Sequence, residues 1–148
     1  MLYYSYRKQF TWVIRSKPRV PSGTLREIAS AFYQLKLGYG YIKAYLHRLN
    51  HASNARCRCG RIETTEHLLL TGPEVGDARK ALKDKLKRNL ALQALLYITD
   101  GVEATLNFLK PTKIATRKWH LLRGDDGGWR RQRAVQPTHV SHVSFVSY

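Results

Sequence analysis

The stretch Arg56–Pro73, RCRCGRIETTEHLLLTGP, constrains this chain more than any other, because it holds the only two cysteines, Cys57 and Cys59, one residue apart. A disulfide across that spacing is sterically poor, since the Cβ atoms must approach closely with aligned vectors. Two cysteines also make no disulfide framework, so a reducing compartment is the expectation. His67 follows just ahead of an apolar run. Two thiolates and an imidazole gathered this tightly supply three of the four donors of a tetrahedral structural zinc site. Cys57 and Cys59 come from a turn, and His67 from the first turn of a helix starting near Thr64. A cysteine at position 72, on the next helical turn, would close the site, and that position is Gly72. The expectation is therefore a degenerate knuckle with three ligands, in which zinc is weakly bound or absent. His47 and His51 stand at i,i+4 shortly before Cys57 and offer an imidazole in place of the lost thiolate. The plainer reading of both is an ordinary polar residue at a helix end.

At 148 residues the chain suits one domain, and its periodicity predicts a mainly α fold. Hydroxyls at Ser22 or Thr24 are placed to cap a helix bearing Leu25, Ile28, Ala29 and Phe32, which Gly38 and Gly40 break. A second helix carries Ile42, Tyr45, Leu46 and Leu49 on one face. Asn50–Arg58 leads as a loop into the C-x-C. Thr64 caps a short helix through Leu70, stopped by Gly72 and Pro73. From Val75 an amphipathic helix turns Ala78, Ala81, Leu82, Leu86 and Leu90 inward and Lys80, Lys83, Lys87 and Arg88 outward. Asp100 caps another helix with Val102, Leu106 and Leu109, ended by Pro111. A last one spans about Thr112 to Leu122, with Trp119 in the core. Residues 1–21 read as a basic aromatic arm and 22–123 as the helical domain. Residues 124–148 lose helical periodicity and read as a disordered tail.

A net charge of +16 attracts polyanions, with nucleic acid first among them. Candidate phosphate contacts are Lys80, Lys83, Lys87, Arg88, Lys113, Arg117, Lys118, Arg130, Arg131 and Arg133. Trp129, between a glycine and arginines, reads as exposed and available for stacking on an unpaired base. RNA or single-stranded DNA, bound without sequence preference, is the partner this predicts. No charged segment followed by an apolar run marks a secretory signal, and no run approaches the ~20 apolar residues that cross a bilayer. An intracellular protein, nuclear or cytoplasmic, with no membrane partner is the expectation.

Three blocks carry a resemblance: AFYQLKLGYGYIKAYLHRL (Ala31–Leu49), CRCGRIETTEHLLL (Cys57–Leu70) and LNFLKPTKIATRKW (Leu106–Trp119). Together they resemble the C-terminal region of fungal non-LTR (LINE-type) retrotransposon polyproteins, downstream of the reverse transcriptase and ribonuclease H domains. The likeness spans about residues 22 to 122. It implies a C-x-C-x7-H-x4-C knuckle, which Cys57, Cys59 and His67 match and Gly72 does not. It also implies a second kind of role, because truncated reading frames of this type serve powdery-mildew-type plant pathogens as effectors. Such a protein acts inside the host cell through a host protein partner.

Catalysis is not expected. Polymerase and ribonuclease H chemistry needs clustered carboxylates around two divalent metals, whereas the ten acids here are scattered. Asp125 and Asp126 sit between glycines at a helix exit and read as a turn. No Walker A loop, no G-x-S-x-G and no nucleophile–base pair with an orienting third group is present.

Overall fold

The computed structural model describes residues 19–87 and 89–124. Arg88, most of the N-terminal arm and the tail with Trp129, Arg130, Arg131 and Arg133 lie outside the described residues. So does the expectation of a disordered tail. Among the described residues six α-helices follow in order: α1 (Arg26–Leu37), α2 (Lys43–Arg48), α3 (Gly76–Leu86), α4 (Leu92–Tyr97), α5 (Thr99–Thr112) and α6 (Arg117–Leu122). Between α2 and α3 lie a π-turn at His67–Thr71 and a 3-10 turn at Pro73–Val75. Strand pairing among the described residues amounts to one isolated antiparallel bridge, Arg56 to Ile62. The fold is mainly α, as the periodicity predicts. No described helix is long and apolar enough to cross a membrane.

Helix α5 is the hub, packing on α4, α3 and α1. Its buried Val102, Ala104, Leu106, Phe108 and Leu109 form one cluster with Ile28, Ala31, Phe32 and Leu35 of α1 and Leu95 and Leu96 of α4. The α1 set falls at i, i+3, i+4 and i+7, a single apolar stripe that has to be covered. At the α4–α5 corner the backbones nearly touch: a Cβ built on Gly101 would stand 1.7 Å from the carbonyl oxygen of Ala94. Only glycine permits that approach. Thr105, fully buried, places its hydroxyl 2.7 Å from the Gly101 carbonyl and 3.0 Å from that of Leu95, so its proton stays satisfied at the same corner.

Several boundaries differ from expectation. Helix α1 begins at Arg26 with Leu25 as its N-cap residue, so it has no side-chain cap, and the Thr24 hydroxyl donates to the Pro21 carbonyl (2.8 Å). Helix α4 was not expected: its six residues are too short and too apolar to show a period. Pro111 sits inside the last turn of α5, and Lys113, at φ +56°, ends the helix. Ile114 and Ala115 then cross the core as a buried linker, so the final helix begins at Arg117 and not at Thr112. Thr116 caps it by accepting from the Trp119 N–H (3.2 Å), and Trp119 packs against the core as expected.

Candidate metal centre

The ligand loop is a narrow hairpin. The Cys57 N–H donates to Arg61 O (2.8 Å), and the Gly60 N–H donates back to Cys57 O (2.9 Å). Gly60 takes φ +87°, which a side chain would oppose. The Glu63 N–H reaches Ala55 O (2.9 Å) and closes the base. Both cysteines thereby project from one tight turn, Cys57 buried and Cys59 exposed.

The third ligand comes from the next segment. Thr64 accepts from the His67 N–H (3.2 Å), the cap its position predicts. The turn that follows is not α-helical. An α-helix advances about 100° per residue, leaving a residue five positions on about 140° away around the axis. A π-turn is wider and closes an i to i+5 bond, here from the Gly72 N–H to His67 O (2.5 Å). Position 72 is thereby brought back beside His67. A Cβ built on Gly72 would stand 3.3 Å from His67 Nε2. Position 72 therefore stands beside the His67 ring, reached through a turn the spacing did not reveal. Arg79 of α3 holds the turn by donating to Leu69 O (2.9 Å) and Leu68 O (3.1 Å).

Cys57, Cys59 and His67 converge, with all three ligand atoms within 4.8 Å of one another. Cys59 Sγ lies 3.4 Å from His67 Nε2. Thiolate and imidazole donors on a tetrahedral ion stand about 3.6 Å apart, given metal–ligand bonds of about 2.1–2.3 Å. The group can hold a metal ion with little rearrangement. Thr71 Oγ1 sits 3.2 Å from His67 Nδ1. That contact orients the ring and leaves Nε2 for an ion, the role that a carboxylate, carbonyl or water usually fills behind a ligating histidine. Burial pushes the Cys57 thiol pKa up, and Cys59 and the Glu74 carboxylate push the same way against one backbone hydrogen bond. Beside the group a cleft of about 10 Å³, lined by Cys57, His67, Gly72, Glu74 and Trp119, has room for roughly one water.

His47 and His51 do not join this group. His51 lines a separate cleft with Lys43, His120 and Arg123, and His47 is exposed in the last turn of α2.

The hairpin is tied to the domain by groups the sequence did not single out. Glu63 is fully buried, accepting the Lys43 N–H at the start of α2 (3.0 Å) and pairing with Arg123 Nη1 (2.5 Å). Arg123 also lies over the Trp119 ring, 3.6 Å from its centroid, and donates to Tyr41 O (3.3 Å). Lys43 Nζ donates to Arg56 O (3.1 Å). Partners 60 residues apart leave no local signal, so sequence periodicity cannot find Glu63 with Arg123.

Of the basic candidates, Lys80, Lys83 and Lys87 are exposed at i, i+3 and i+7, one stripe turned away from Ala78, Leu82 and Leu86. None of the three has an ion-pair partner among the described residues, whereas Lys85 pairs with Glu103 (3.9 Å) and Lys113 with Glu27 (3.8 Å). Arg117 and Lys118 are exposed at the start of α6. Comparison with protein-family models, curated proteins and solved structures finds no match to this chain.

Proposed function

We propose that this chain is a non-enzymatic nucleic-acid-binding domain whose Cys57–Cys59–His67 group takes zinc as a structural ion. The stripe of Lys80, Lys83 and Lys87 carries the reading: three exposed ammonium groups on one helix face, without carboxylate partners among the described residues, on a chain of net charge +16. Lysines so placed neutralise phosphates and release counterions without reading bases, so RNA or single-stranded DNA is bound irrespective of sequence. Zinc suits the donor set because two thiolates and one imidazole are soft to intermediate ligands that favour tetrahedral coordination. Bound there, the ion cross-links the hairpin to the π-turn. The likeness of the Cys57–Leu70 block to retrotransposon C-terminal knuckles points the same way.

Filter binding to a single-stranded RNA across salt concentrations tests the reading. Affinity should fall steeply with salt and vary little among sequences. Replacing Lys80, Lys83 and Lys87 with Glu should weaken binding to every sequence alike and flatten the salt slope. Absence of binding at about 0.05 M salt, where such contacts are strongest, overturns it.

A further inference from the structure

The three-ligand group leaves a fourth corner, and the residue nearest to filling it comes from the 3-10 turn just beyond Gly72. Pro73 opens that turn and sets Glu74 over the cleft that Gly72 leaves open. Glu74 Oε1 lies 4.0 Å from Cys57 Sγ. A thiolate and a carboxylate bound to one tetrahedral ion stand about 3.6 Å apart, so this separation is close to that of two ligands. As a thiol–carboxylate hydrogen bond it is long and weak. Glu74 lines the same cleft as Cys57, His67 and Gly72, and its stem is exposed and free to turn. The carboxylate is not within 4.8 Å of all three ligand atoms, so ligation needs a rotation of that side chain. Among the described residues no other histidine belongs to the group, His47 and His51 included.

We infer that Glu74 is the fourth metal ligand, a carboxylate taking the corner opened by Gly72, which makes this a Cys₂His-carboxylate site. This rests on the zinc reading above. Carboxylate oxygen is an accepted zinc donor at about 2.0–2.2 Å. It also supplies negative charge where the position-72 thiolate is absent, keeping three anionic donors around the divalent ion.

A double-mutant cycle in the full-length protein tests it, with Zn²⁺ affinity measured by chelator competition and Co²⁺ absorption read on the same samples. Glu74→Ala should weaken Zn²⁺ binding by about 100-fold or more, at or beyond the upper end of what losing an outer-shell partner costs. It should also reduce the intense d–d bands of a four-coordinate Co²⁺ site. Gly72→Cys should restore affinity to the Glu74→Ala protein, and in that background the Glu74→Ala penalty should vanish, because the corner is already filled. Gly72→Ala controls for the 3.0 Å approach of a new Cβ to His67 O. An equal penalty in both backgrounds means that Glu74 acts only through its charge, which overturns the assignment. Unchanged affinity in Glu74→Ala overturns it too and leaves the three-ligand zinc site standing. Failure of the unaltered chain to bind Zn²⁺ or Co²⁺ overturns both readings.

Discussion

Around α5 the chain is held by side chains that exclude water: Ile28, Phe32 and Leu35 of α1 and Leu95 and Leu96 of α4 are all fully buried, in one cluster with Leu109 of α5. From Tyr41 to Val75, where Ile42, Leu68 and Leu69 join the same apolar cluster, supports of another kind are added. There the chain runs through a two-cysteine hairpin, a π-turn and a buried glutamate, and each is held by specific polar partners. Burial of apolar surface is non-directional and survives small displacements. A charge-assisted hydrogen bond or a metal–ligand bond does not, because each depends on a distance and an angle. The first region can fold on pattern alone. The second requires its polar partners to arrive from elsewhere in the chain: Arg79 from α3 and Arg123 from the end of α6.

Removing the metal should separate the two regions most strongly. A complete zinc site contributes on the order of 10 kcal/mol to the folding of a small metal-dependent unit. Chelation of the zinc-loaded protein should release amide protection across residues 55–72 while α1, α4 and α5 stay protected, as followed by hydrogen exchange. Loss of protection throughout the domain in one step would erase the distinction.

Next in size is Glu63→Ala. It strands Arg123 in a buried position with its charge uncompensated, and breaking one side of such a pair costs about 3–5 kcal/mol. Urea unfolding should show the midpoint falling, and Glu63→Ala with Arg123→Ala should cost less than the separate losses added together. Strict additivity would show that the two side chains do not interact.

Leu109→Ala probes the other region. It opens a cavity at a fully buried α5 position and should cost about 2–5 kcal/mol in calorimetry with zinc and without it. A loss seen only in the zinc-loaded protein would mean that the apolar core depends on the ligand segment after all.

The smallest effect belongs to Thr64→Ala, which removes the hydroxyl that accepts the His67 N–H. A lost cap costs about 0.5–2 kcal/mol. Since His67 is the residue being positioned, titration should show that loss as weaker zinc binding, with the melting temperature of the metal-free protein little changed.

The helical class was legible in the sequence because α1, α3 and α5 repeat apolar residues at helical spacing. The three converging ligands were legible because C-x-C and a capped helix start are local signals that need only a turn between them. What stayed hidden lacked such a signal. Helix α4 is one and a half turns of apolar residues, below the length at which a period shows. The break between Lys113 and Thr116 was hidden as well, since Ile114 and Ala115 are as apolar as a helix face. Glu74 looked like any surface acid, and only its 4.0 Å approach to Cys57 distinguishes it.

By itself the sequence determined which surfaces must be buried, where the thiolates and imidazole lie along the chain, and how much positive charge the protein carries. These follow from residue type and short-range spacing, which survive in any conformation. Only the tertiary structure decided that the turn after Thr64 is a π-turn, that Gly72 faces His67, and that Glu63 and Arg123 meet across 60 residues. Those depend on long-range closure, in which each polar group takes whichever partner the packed helices bring within about 3 Å.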